Sequence, residues 1–192
     1  MLAAPFTFGV GIYAFYAMQP YLLELYGDEQ AYSIAGLAAA IIAGAQIIGG
    51  LAAPRVRLLF RRRTTAILAG LLIEGGLLAL LGVTTAFWVA VGLLVLWGLT
   101  AAAALPIRQA YMNGLIPSEQ RATVLSFDNL LGSSGGVVIQ PALGKVADVW
   151  SYSTSYLVAA AIQLVAAPFI ALARGTRASS DPVEFEPAQQ GG

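Results

Sequence analysis

Six apolar runs dominate this chain, each near or above the ~20 residues that a helix needs to cross the hydrocarbon core of a bilayer. They occupy residues 6–26, 33–53, 65–83, 87–112, 123–146 and 155–173. Between them lie short polar connections: GDEQAY, RVRLLFRRR, TTA, GLIPSEQRA and DVWSYST. Strands of a membrane β-barrel alternate polar and apolar residues over about ten positions, and these runs do not. The expected fold is therefore an all-α membrane bundle of six transmembrane helices. Composition agrees: 58% of residues are hydrophobic and 10% charged, too little charge to cover the surface of a water-soluble domain. From residue 175 the sequence turns to GTRASSDPVEFEPAQQGG, a tail too poor in apolar residues to fold, and residues 175–192 are expected to be disordered.

The cations set the orientation. Arg55, Arg57, Arg61, Arg62 and Arg63 fall between runs two and three, Arg108 and Arg121 flank the connection between four and five, and Arg174 and Arg177 follow run six. All nine lie on one side, and only Lys145 lies towards the other. The positive-inside rule then places both termini in the cytoplasm, with Glu24, Asp28, Glu29 and Asp148 outside. The start, MLAAPF, lacks a basic region and a cleavage site, so the first run reads as a retained span.

Several function classes fall away. Ten Lys and Arg balance ten Asp and Glu, which leaves no basic field for nucleic acid. With no Cys and no His, disulfide frameworks, zinc sites and histidine catalysis are absent, and no metal or cofactor is expected. Neither HExxH nor GxSxG occurs, so nothing points to an enzyme.

Polar residues within the runs carry what remains, because charge at membrane depth costs on the order of 2.5–3.5 kcal/mol. Glu74 lies about ten residues into run three, roughly 15 Å from the arginine-bearing face. Desolvation there suits a carboxylate that takes up and releases a proton. The competing reading is a packing residue paired to a Gln or Tyr. Run five carries FDNLLGSSGGVVIQPALGK, in which Asp128, Asn129, Ser133, Ser134 and Gln140 are too polar to face lipid together. Gly132 and Gly136 form a GxxxG pair for close helix packing, and Pro141 is expected to bend the helix. This run either lines a cavity or forms a tight interhelical seam. Gln19 and Gln46 are milder polar signals of the same kind. Arg108 and Asp128 sit at similar depth one loop apart, and are expected to pair as a latch between helices.

The segment PIRQAYMNGLIPSEQRATVLSFDNLLGSSGGVVIQPALGKVAD resembles the tenth and eleventh helices of major facilitator superfamily permeases. It carries the P-x-R…N-x-x-I-P-S-x-x-R-A-T-x-L-S pattern of bacterial drug-exporter-like members. The loop GGLAAPRVRLLFRRRTT is similar to that superfamily's cytoplasmic signature, with Gly50, Leu51 and the cluster Arg61, Arg62 and Arg63 matching. Ala53 stands where the signature has an acid, so the acid's gating role does not carry over. Such permeases have twelve helices in two six-helix halves. The resemblance implies the C-terminal half, as a truncated reading frame or as half of a split transporter, with a second six-helix half as partner.

In the family, the helices matching runs one, two, four and five line the cavity, and those matching three and six lie outside it. This favours Gln19, Gln46, Arg108, Asn113, Asp128, Asn129 and Gln140 as pathway or gate residues, and argues against Glu74 as a direct substrate contact. Pro141 comes four residues later than the family's antiporter pattern asks, so antiport gains no support from it. The implied function is secondary transport of a small organic solute or drug by alternating access, with proton-coupled efflux through Glu74 or Asp128, in a bacterial cell membrane. The alternative is a six-span interaction partner or permease remnant that transports nothing itself.

Overall fold

The computed structural model of the protein describes residues 1–28, 30–176, 178 and 180–183. Among these residues the chain is helical, apart from one isolated bridge between Arg62 and Pro182. The helices follow in order: α1 (Ala4–Tyr26), α2 (Tyr32–Leu58), α3 (Arg63–Val83), α4 (Phe87–Leu115), α5 (Arg121–Val149), α6 (Tyr152–Val165) and α7 (Ala167–Gly175). A 3-10 turn at Ser118–Gln120 precedes α5. Glu29 and Arg177, both used to read the orientation, lie outside the described residues.

Two expectations need correction. The sixth run is not one helix. Pro168 has no N–H, and its ring collides with a carbonyl four residues back, so α6 closes at Val165 and Pro168 enters the first turn of α7. Pro141, in contrast, lies inside an unbroken α5. The tail is not unfolded throughout: Gly175 ends α7, and residues 180–183 pack back onto α3, with Asp181 2% exposed. Polar composition hid this contact because the segment is held mainly by hydrogen bonds, with Val183 its one buried apolar side chain among the described residues. Residues 184–192 lie outside the described residues.

Helix ends also run past the apolar runs. α2 continues through Pro54 and takes Arg55 and Arg57 into its last turn, where cations suit the negative end of the helix dipole.

Among the described residues, five segments are long and apolar enough to cross a membrane: Tyr32–Leu58, Arg63–Val83, Phe87–Leu115, Ser118–Val149 and Tyr152–Gly175. α1 has 23 residues, long enough for a crossing, but Gln19, Pro20, Glu24 and four tyrosines hold its hydropathy down. Six crossings is thus a larger number than length and composition alone support.

The helices pack chiefly as α2 on α4, α1 on α5, and α3 between α4 and α6. Glycine permits the closest approach. A Cβ on Gly9 would lie 2.8 Å from the Gly135 carbonyl oxygen, and one on Gly135 would strike the Pro5 carbonyl. The expected pair, Gly132 and Gly136, faces Phe8 and Ile12 of α1 at looser distances of 3.4 and 3.1 Å.

The buried core is uneven along the bundle. It gathers residues 10–22 of α1, Ala38 and Ile42 of α2, Leu78 and Leu81 of α3, residues 90–97 of α4, Ile139 and Leu143 of α5, and Tyr156 to Ala160 of α6. Each group lies towards the end away from the arginines. Tyrosines close that end: Tyr21 donates to the Leu81 carbonyl at 2.7 Å, Tyr156 donates to the Ala14 carbonyl at 3.2 Å, and Tyr13 bonds Ser155. Each buried phenol thereby finds the partner that burial demands.

Candidate functional site: a cavity at the arginine-bearing end

Where the core thins, the helices leave a cavity of about 880 Å³. α1, α3, α4, α5 and α7 contribute most of its wall, with Gln46 from α2 and Gln163 from α6. The wall is mainly apolar, and its polar groups fall into two clusters.

The first is an ion pair. One guanidinium nitrogen of Arg108 donates to both carboxylate oxygens of Asp128, at 2.8 and 2.6 Å. α4 and α5 are joined by a short connection, which brings these two residues to the same level. The Asp128 side chain is 5% exposed and that of Arg108 31%, so the pair reaches from the dry interior into the cavity. The chain's α-amino group lies 3.8 Å from the same carboxylate.

The second cluster joins α3 to α6. The Gln163 side-chain amide donates to Glu74 at 2.8 Å. Gln163 is 2% exposed, and its carbonyl oxygen has no hydrogen-bond donor. Both residues line the cavity. Glu74 is therefore both amide-paired and accessible from the open space, although the resemblance puts α3 and α6 outside the pathway.

The other expected residues divide. Gln46 lines the cavity, its Cγ 3.2 Å from where a Cβ on Gly98 would stand. Asn129 lines it from α5 and is otherwise exposed. Gln19, Asn113, Ser133, Ser134 and Gln140 do not reach it. Gln19 is exposed near the tyrosine-closed end, Asn113 holds a buried side-chain oxygen without a donor, and Ser134 bonds the Leu131 carbonyl of its own helix at 2.7 Å. Gly50 faces open space, and Arg61, Arg62 and Arg63 meet the returning tail at residues 180–183.

Sequence reasoning missed Gln163, Gly135 and Asp181. Gln163 was findable, since it is the one amide in the apolar stretch YLVAAAIQLV, the same signal that marks Gln19 and Gln46. Among the described residues no group of Asp and Glu could hold a metal ion.

The sequence profile of the Major Facilitator Superfamily matches residues 1–190. No curated protein matches the chain.

Proposed function

The chain belongs to the Major Facilitator Superfamily, and from that premise we propose that it moves a small organic solute by alternating access, as one six-helix half rocking against a second. It is an integral membrane protein of a transporter family. α1 supplies the sixth crossing: its length suffices, and two of its four tyrosines, Tyr13 and Tyr21, are buried and hydrogen-bonded, while Tyr16, Gln19 and Glu24 stay on its exposed face. The arginine-bearing end and both termini then face the cytoplasm.

One observation carries this reading: the bundle is packed shut at its tyrosine end and open at its arginine end. An aqueous route that reaches mid-bundle and stops is one of the two states that alternating access requires. A second half is supported by α5. Asn129, Ser133 and Ser134 are exposed beside Leu130, Val137 and Val138 on a helix whose mean hydropathy is 1.2, against 2.0 to 2.2 for the other candidate spans. Hydroxyls and amides on an outer face are costly against lipid and cheap against another protein surface.

Glu74 is the coupling group of this proposal, taking a proton from the cavity and returning it, while Arg108 and Asp128 form the gate between α4 and α5. The solute is exported, as in the drug-exporter-like members that the sequence resembles. Reconstituting the chain with a second half into liposomes and imposing a pH gradient tests it. Accumulation of an amphipathic solute that collapses with the gradient is the expected result. No flux with either half order, in a folded complex, ends the transport reading and leaves an interaction partner.

A further inference from the structure

The segment that follows α7 does not leave the bundle at the arginine-bearing end. One carboxylate oxygen of Asp181 accepts from the Thr64 backbone amide at 2.9 Å and from the Thr64 hydroxyl at 2.7 Å. The first backbone N–H groups of a helix have no partner within it, and no residue next to α3 in sequence supplies a side-chain cap. Asp181, 117 positions away, caps α3 from outside, with its negative charge at the positive end of the helix dipole. The backbone joins in. Arg63 N–H donates to the Asp181 carbonyl at 2.8 Å, and Val183 N–H to the Arg61 carbonyl at 3.2 Å. The Arg63 guanidinium donates to the Ser180 carbonyl at 2.8 Å.

The same segment holds α4. The Ser180 hydroxyl donates to the Tyr111 carbonyl at 3.3 Å. A Cβ on Gly114 would lie 2.6 Å from that of Ser180, so only glycine leaves room for the strap there. Thr64 and Tyr111, its two anchors, both line the cavity. The strap thus crosses the end of the cavity from α3 to α4.

Two features make this contact releasable. The second carboxylate oxygen of Asp181 and the Nε of Arg63 are buried without partners among the described residues, so the closed seat leaves these groups unsatisfied there, and water would satisfy them on opening. The strap also hangs from α7, a nine-residue helix with no buried residue.

We propose that residues 180–183 are a latch that holds the arginine-bearing ends of α3 and α4 together across the cavity, and that these ends part when the latch leaves its seat. The proposed transport gives the latch its purpose, but the separation of the two helices is measurable whether or not solute moves.

The chain has no Cys, so introduced pairs label cleanly. Nitroxides on Arg61→Cys and Leu115→Cys report the arginine end of the full chain, and on Val83→Cys and Trp88→Cys the opposite end. Electron–electron distance measurement is made in the parent, in Asp181→Ala, which removes the cap, and in Gly114→Ala, which displaces Ser180 and leaves the Asp181 carboxylate intact. A longer distance should gain about fivefold to tenfold in population at the arginine end in both variants, the change expected from losing one helix cap in a local opening. The opposite end should not change. Three results overturn the latch: no new distance in either variant, a new distance in only one of them, or lengthening at both ends.

Discussion

Asp128 is almost wholly removed from water while Arg108 keeps 31% of its side chain exposed, so the two partners contribute unequally to what their loss would cost. Removing Arg108 strands a carboxylate in a dry layer. Arg108→Ala should therefore destabilise the bundle by about 2–4 kcal/mol, somewhat under the value for a fully buried pair, as read by thermal unfolding in detergent. Exchanging the charges, Arg108→Asp with Asp128→Arg, should recover most of that loss. A double variant as weak as the single ones would mean that the pair is not what holds α4 to α5 there. Glu74 leads to an opposite expectation. In Glu74→Gln the new amide can still accept from Gln163 and can also donate to the Gln163 oxygen that now lacks a donor. The variant should be as stable as the parent or gain up to about 1 kcal/mol, yet lose flux driven by a pH gradient while keeping solute exchange down a concentration gradient. Unchanged coupling would remove Glu74 from the mechanism. The first cluster was legible in the sequence because a tight turn fixes the relative depth of Arg108 and Asp128. The second was half legible: the cost of burying Glu74 demands a partner, but only packing reveals that the partner stands on α6.

Helix contacts in a membrane depend on how near two backbones can come, because lipid offers no hydrophobic drive between them. Gly135 sits at the tightest of these contacts, against the Pro5 carbonyl, with Gly9 facing it across the same seam. Gly135→Ala should overpack the α1–α5 seam and cost about 1–3 kcal/mol. Gly144→Ala on the same helix, with open space around it, should gain up to about 1 kcal/mol from helix propensity. Unfolding of the two variants side by side distinguishes a seam from a general intolerance of α5 to change. Sequence showed the helices well, since long apolar runs have no other stable form in a bilayer, but it showed their termini and seams poorly. GxxxG pointed to Gly132 and Gly136, whereas the closest approach falls on Gly135, because facing depends on rotation about the helix axis and spacing does not fix rotation. Pro168 broke a run that hydropathy reads as continuous, while Pro141 sits in an unbroken helix. The contact of Asp181 with α3 was invisible for a different reason: a cap supplied from the far end of the chain leaves no local pattern.

Across the whole bundle, the asymmetry between a closed tyrosine end and an open arginine end fixes which residues meet water, and the absence of Cys makes that testable one position at a time. A cysteine at Ile67, half-buried on the cavity wall, should react with a membrane-impermeant maleimide, and a cysteine at Ala14, 0% exposed in the core, should not. Applied to inside-out and right-side-out vesicles, the same reagent reads orientation, with faster reaction at Ile67→Cys from the cytoplasmic side. The outer face of α5 then separates a bundle sufficient in itself from one wall of a larger passage. Ser133 is exposed there and does not reach the cavity, so in an isolated bundle a cysteine at Ser133 stays accessible. A second six-helix half seated on this face would bury that position while leaving Ile67 wetted, because the cavity lies between α1, α3, α4 and α5 of this chain and not solely at the seam. Co-expression with such a half should slow labelling at Ser133→Cys at least about tenfold, the protection expected of a residue moved into a well-packed interface, and leave Ile67→Cys within a factor of about two. Equal labelling of Ser133→Cys with and without the half would show that the hydroxyls of α5 face lipid or water, and the two-walled passage would have to be abandoned.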